Sequence, residues 1–271
     1  MSVKRIAGRI LRKALELSAR IPFGDHNCVI CGHGLARFLP YRGGSRNIPS
    51  LMQALEIVGS DVDHFSCPWC YSHDRERHLF LFMQMTRIFS FVSGKRVLHF
   101  APERHLSRFI EEAEPQEYIR CDLHPWADDI LQADLVGLPF PDSHFDLLIA
   151  NHVLEHVDDD QCAVAEIVRV LKPGGYAILQ TPYSSILEKT WEDEGIRSAE
   201  ARLQAFGQED HVRLFGKDVF ERIAQLGLES RVQSHEAVLG SYSTHRLGLN
   251  LREPFFLFVK PEALPGPRGE V

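Results

Sequence analysis

Two cysteine pairs carry the clearest chemical signal in the chain. Cys28 and Cys31 form one CxxC, and Cys67 and Cys70 form the second. Each pair sets two thiolates on a tight turn. Two such turns complete the tetrahedral S4 shell that holds Zn2+ in structural sites. Gly32 and Gly34 follow the first pair, as a knuckle turn requires. The stretch between the pairs is longer than usual for this pattern, and four reduced thiols or a redox dithiol are the competing readings. His26, His33, His64 and His73 flank the knuckles and read as surface residues rather than substitute ligands. Arg37–Tyr41 and Ile57–Phe65 can supply hairpin strands. A structural ion performs no reaction; it holds together a module too small for a core of its own.

A second group of reactive side chains lies farther on. Asn151 and His152 end an apolar run, FDLLIAN, with Glu155 and His156 close behind. His211 and Arg213 are two residues apart and share a face in extended chain. An imidazole there can deprotonate a hydroxyl or amine near neutral pH. Arg213 can clamp a carboxylate or phosphate bidentately. The bland reading of this segment is a lead-in to the helix 218–226. Asp122 ends a short strand about 20 residues after an earlier strand's turn, where an acid accepts hydrogen bonds from a ribose diol. Its bland reading is a turn cap.

The elements that must position these groups are legible in outline. Leu138 to Gly175 reads as one α/β unit: a Pro-rich turn, a buried strand at Phe145–Asn151, and a helix. Ala163, Ile167, Val170 and Leu171 make the helix's apolar face. Lys172 sits in its last turn, Pro173 and Gly174 stop it, and Gly175 opens the next strand. Ahead of this unit come a helix over 72–91, a strand at 95–100, a helix at 106–112 and strands at 118–121 and 130–134. Behind it come strands at 176–180, 229–238 and 254–260, the last two an antiparallel pair. The expected fold is α/β: a doubly wound, Rossmann-like sheet of seven strands with a small N-terminal zinc ribbon. The expected segments are a basic helix (1–25), a ribbon (26–74), a connecting helix (75–93), the sheet domain (94–262) and a loose tail (263–271). Open α/β sheets bind ligands outside the carboxyl ends of their strands. Chemistry is therefore expected around Asn151 and His152.

Composition narrows the class. The 271 residues suit one large domain or a domain with an appendage. No apolar run can span a membrane, and no secretory signal is visible. The six cysteines fit a reducing compartment, so the expected location is the cytoplasm. A net charge of −7 argues against a protein built to grip nucleic acid. Residues 1–22 alone carry +5, leaving −12 elsewhere. Ile6, Ile10, Ala14, Leu17 and Ile21 form an apolar stripe there, widened by Leu11 and Leu15. Packing on its own domain or a second subunit, contact with an anionic membrane surface, and a mitochondrial presequence all fit.

The blocks Leu138–Asp158 and Leu171–Gly175 resemble class I S-adenosylmethionine-dependent methyltransferases of the HVLEH/LKPGG type. The resemblance covers about residues 94–232. FLPY, CPWCYSHDRERH, VLHFAPE and FGQEDHVRLFG resemble a subgroup with an N-terminal zinc ribbon. The resemblance implies cofactor contacts from Phe100, Ala101, Glu103, Asp122, Leu123, Asp134, Leu135 and Asn151. Asp122 matches the ribose acid, Asp134 the acid at the adenine amino group, and Asn151 a residue near the methyl donor. His152 faces the acceptor side, and His152 and His211 are the candidate bases. Tyr183, Trp191 and Arg213 are expected to shape the acceptor pocket. The acid-rich insert 184–208, with Glu188, Glu192, Asp193 and Glu194, suits a cationic or polyhydroxyl acceptor, or is simply solvated.

One turn departs from the family. Its strand acid becomes His99, and the glycines of GxGxG become Ala101, Glu103 and His105. Either Glu103 replaces the missing acid or the domain is a non-catalytic scaffold. An NAD-dependent enzyme fits less well, since it needs the same glycines. The expected activity is methyl transfer to O or N of a small-molecule or glycan-type acceptor. An RNA methyltransferase with the ribbon as clamp is the alternative.

Overall fold

A computed structural model describes residues 13–21 and 24–262. The chain forms two compact units, neither continuous in sequence. Among the described residues, one gathers those up to 48, 59–87 and 234–253; the other gathers 49–58, 88–233 and 254–262.

The second unit is built on a seven-stranded sheet. Its strands are β1 (Arg96–Phe100), β2 (Glu117–Asp122), β3 (Leu131–Gln132), β4 (Phe145–Ala150), β5 (Leu171–Ile178), β6 (Glu229–Ser230) and β7 (Leu257–Val259). Their order across the sheet is 3-2-1-4-5-7-6. The pairs β1–β2, β1–β4, β2–β3 and β4–β5 are parallel; β7 pairs antiparallel with β5 and β6. The centre is apolar on both faces, with Val97, Leu98, Leu147, Leu148, Ile149, Ala177 and Ile178 buried. That is the composition a covered parallel sheet demands. Ala163, Ile167 and Val170 of the helix Asp160–Val170 pack into the same core, as their spacing predicts. The strand order reverses between β1 and β4, which makes a crevice at their carboxyl ends.

LKPGG does not end that helix; it begins β5. Leu171 is already extended, with ψ 139°, because its chain pairs back onto Phe145. Gly175 is needed there: a Cβ would come within 2.9 Å of the Lys172 carbonyl.

The first unit holds the four cysteines. His26–Asn27 pairs with Gly34–Leu35 around the first knuckle. Ser66 bridges both Leu39 and His73 around the second. Ile57–Val58 does not join this module. It pairs with Tyr183–Ser184, and Ser50–Ala54 packs on the helix Ala199–Phe206. The expected 26–74 segment is thus interrupted, and 234–253 completes the unit from far along the chain.

The expected helix over 72–91 breaks at Arg87, whose φ is +62°. Asp74–Met85 lies in the first unit and Ile88–Val92 in the second. Within Asp74–Met85, Arg77 is wholly buried. Its guanidinium donates to the carbonyls of His64 (2.6 Å), Ser72 (2.8 Å), Phe65 (3.2 Å), Leu247 (3.1 Å) and Gly248 (2.8 Å). It also lies 3.9 Å from the Phe38 ring centre. One planar cation thereby joins three segments.

Residues 13–19 are helical. Ala19 is buried there, while Leu17 and Ile21 are exposed. Arg20 stacks on Trp69 and donates to the Pro68 carbonyl. The rest of the basic stripe, and the tail from 263, lie outside the described residues. Among the described residues, no helix is long and apolar enough to cross a membrane.

Candidate functional site

The two knuckles share one backbone design. Cys28 N–H donates to the His33 carbonyl and Gly32 N–H to the Cys28 carbonyl. Cys67 N–H donates to the Ser72 carbonyl and Tyr71 N–H to the Cys67 carbonyl. Each turn ends on a left-handed residue, Gly32 at φ +75° and Tyr71 at +63°. The result brings Cys28 Sγ and Cys70 Sγ to 3.8 Å, and Cys31 Sγ and Cys67 Sγ also to 3.8 Å. A tetrahedron with Zn–S bonds of about 2.3 Å has edges of about 3.8 Å. Disulfides are excluded at that separation. The four residues fit the ion in type, number and spacing. His33 stacks on Trp69 and His73 on Phe65, outside the ligand set. Replacing Cys67 with serine is expected to abolish stoichiometric zinc retention, as read by metal analysis after dialysis against a chelator.

The second site lies at the crevice of the sheet. A cavity of about 770 Å³ is lined there by Phe100, Ala101, Asp122, Leu123, Asp134, Leu135 and His152, among others. That volume suits a cofactor-sized ligand. Seven of the sequence-derived residues thus share one wall. Asp122 and Asp134 each spend one oxygen on a local turn, Asp122 on His124 N–H and Asp134 on Val136 N–H. The turn-cap and wall positions therefore coexist. Ala101 has φ +51° and His152 +56°. Both line the cavity, and a non-glycine residue held in left-handed backbone costs about 1–3 kcal/mol. The turn that replaces the glycines thus keeps a glycine-like conformation at its first position. Ala101→Gly is expected to raise stability by about 1 kcal/mol, measured by denaturant unfolding, since it relieves that strain.

Behind this wall runs a hydrogen-bonded chain. Tyr118 Oη lies 2.8 Å from His99 Nδ1, and His99 Nε2 lies 2.9 Å from Glu103 Oε2. Asn151 Nδ2 donates to Glu103 Oε1. Burial works to raise the Glu103 carboxyl, but His99 and the Asn151 amide outweigh it and hold it below the usual range. Glu103 thus ties the β1 turn to the end of β4. Asn151 Oδ1 is buried with no hydrogen-bond partner. An unsatisfied acceptor beside an anionic carboxylate suits a ligand's ammonium group. The acid missing at His99 reappears four residues later, at the N-cap of the helix Arg104–Glu112, as the sequence reading allowed.

The expected acceptor residues sit elsewhere. Arg213 is 2% exposed and donates to the carbonyls of Leu154, Val157 and Asp158. Its Nε donates to Glu192 Oε1, and Nη2 also lies 3.7 Å from Asp160 Oδ1. It pins the loop after β4 and is surrounded by protein partners rather than open to a ligand. Trp191 packs edge-on against Phe206, and Tyr183 against Phe220 and Phe256. None of the three lines the cavity. The insert's carboxylates are also engaged: Glu188 with Lys217, and Glu192 with Arg213 and Arg222. Their charge balances arginines and a lysine contributed by the following segment.

His152 is on the cavity wall, with Nδ1 3.3 Å from Glu155 Oε1. His211 is not; it is buried behind His156, ring centres 4.8 Å apart. Burial lowers its pKa, against the pull of Glu155. Burial works to raise the Glu155 carboxyl, but the His152 hydrogen bond and the surrounding imidazoles bring it to about 2.

This geometry can be set beside known proteins. Residues 107–179 match a methyltransferase-domain family. The match runs from within the helix after β1, Arg104–Glu112, through β5, and so includes Asp122, Asp134, Asn151 and His152. The ubiquinone/menaquinone biosynthesis C-methyltransferase UbiE of Shewanella halifaxensis is 38% identical over 65 residues, 23% of this chain and 26% of that protein. An uncharacterised methyltransferase of Schizosaccharomyces pombe is 34% identical over 73 residues, 26% of each. The chain therefore spans about a quarter of the length of these curated relatives. Among solved structures, YcgJ from Bacillus subtilis shares 16% identity and a TM-score of 0.40, covering 66% of this chain and 98% of its own. The [4+2]-cyclase SpnF shares 14% and 0.47, covering 72% and 85%. The assignment of the fold rests on the strand order itself.

Proposed function

We propose that this chain is an S-adenosylmethionine-dependent methyltransferase acting on O or N of a small-molecule or glycan-type acceptor, with a structural zinc ion on its four cysteines. The observation that carries this is the cavity at the β1–β4 switch point, walled by Asp122 and Asp134 with Ala101 and His152. The bound cofactor would supply a methyl group already activated on a sulfonium. The protein's share is alignment and proton handling.

Asp122 would accept hydrogen bonds from the ribose and Asp134 from the adenine amino group. Leu123, Leu135 and Phe100 supply apolar surface to the base. Asn151 Oδ1 and the Glu103 carboxylate would hold the ammonium. His152 stands where an acceptor's proton would leave, and Glu155 stabilises the imidazolium that results.

The test is transfer from methyl-labelled S-adenosylmethionine in cell extract, fractionated by size and class. Label in the low-mass or glycan fraction supports the reading. Label in RNA would replace the acceptor assignment, and label nowhere would favour a non-catalytic module.

A further inference from the structure

We propose that Glu155, His156 and His211 form a second metal site, for a borderline divalent transition ion of the zinc or cobalt class. The three residues come from two segments. Glu155 and His156 follow β4, where His156 N–H closes a turn on the Val153 carbonyl. His211 is brought alongside by the Val212 N–H donating to the Glu155 carbonyl. One ligating atom from each then lies within 4.8 Å of the other two. An ion with bonds of about 2.0–2.1 Å spaces tetrahedral ligands about 3.4 Å apart, inside that limit.

The decisive group is His211. Its Nδ1 lies 3.0 Å from the Phe206 carbonyl, which can only accept, so the ring proton is on Nδ1. The lone pair is therefore on Nε2. That atom is buried and has no hydrogen-bond partner. Buried polar atoms are as a rule hydrogen-bonded or bound to an ion, so a bare imidazole nitrogen at this depth calls for a ligand. A histidine fixed through one nitrogen on a backbone carbonyl, with the other presented bare, is how metal-binding imidazoles are held.

The other two are oriented by neighbouring side chains. Thr181 Oγ1 donates to Glu155 Oε2 at 2.9 Å. His152 Nδ1 lies 3.3 Å from Glu155 Oε1, and Asp210 Oδ2 lies 3.3 Å from His156 Nδ1. Two imidazoles and one carboxylate suit zinc, cobalt or ferrous iron far better than magnesium or calcium. Three protein ligands leave a coordination position for another group. His156 and Asp210 line the cavity, so an oxygen or nitrogen of the acceptor can take that position. That role rests on the methyltransferase reading; the binding of metal does not.

The full-length chain is loaded with Co2+ in the absence of S-adenosylmethionine, then freed of excess metal. Wild type is expected to hold one equivalent more than His211→Ala and His156→Asn, and the lost equivalent to lack thiolate-to-metal charge transfer. His156 is partly exposed, so the second variant guards against misfolding of the first. Equal metal content in all three proteins overturns the proposal. So does loss of the thiolate bands together with the missing equivalent. A chain that fails to bind the methyl donor can still pass this test, which separates the two readings.

Discussion

Arg77→Ala is expected to unfold the cysteine unit and release its metal. Four carbonyls, those of His64, Phe65, Leu247 and Gly248, would lose their donor, while the Ser72 carbonyl keeps the Cys67 N–H. Each orphaned acceptor costs about 1–3 kcal/mol. Together they approach the roughly 5–15 kcal/mol that holds an ordinary domain. Arg77→Lys is expected to rescue little, because an ammonium cannot reach carbonyls spread around a planar fork. Denaturant unfolding and zinc content of the full-length variants check this. Wild-type midpoint and full zinc occupancy in Arg77→Ala would show that the guanidinium does not hold the unit together.

Glu103→Ala is expected to weaken S-adenosylmethionine binding by about 10–100-fold. The change strips His99 and Asn151 of their shared partner and removes the one negative charge in the β1 turn. Hydrogen bonds to charged groups are worth about 1.5–3 kcal/mol, and each 1.4 kcal/mol is tenfold. Glu103→Gln should lose less, since its amide oxygen can still accept from Asn151. Equal affinity for wild type and Glu103→Ala would remove the carboxylate from the binding account and leave Ala101–His105 a purely structural turn.

Much of this site could be read in order along the chain. VLHF, FDLLIA and YAI are apolar runs bounded by turn residues, and βα order fixes which ends face the crevice. Asp122 and His152 followed from those ends. The resemblance added Phe100, Ala101, Leu123, Asp134 and Leu135, which the cavity wall also contains. What order could not give was pairing between distant segments. Ile57–Val58 looks like a partner for RFLPY, yet it pairs with Tyr183–Ser184 more than 120 positions away. Residues 239–253, between the two expected terminal strands, supply Leu247 and Gly248 to Arg77.

Charge misled in a consistent direction. The sequence reading sends Arg213 to a ligand and Glu192 to an acceptor or to solvent, and gives Arg77 and Asp160 no role. Here the two arginines neutralise carbonyls and carboxylates inside the protein. Arg222 grips Asp160 through two hydrogen bonds, at 2.6 and 2.7 Å, which fixes the start of the helix Asp160–Val170. A single sequence shows the donors but not the acceptors. LKPGG misled for another reason: Pro and Gly stop helices, but they also open a strand when the chain pairs at once with its neighbour.

The account turns on whether the crevice between β1 and β4 holds the methyl donor. Calorimetric titration of S-adenosylmethionine into the zinc-loaded, full-length protein addresses that most directly, with Asp122→Ala in parallel. Saturable one-to-one binding to wild type, weakened at least tenfold by loss of the Asp122 carboxylate, is the predicted result. No measurable binding to the folded wild-type protein would contradict it.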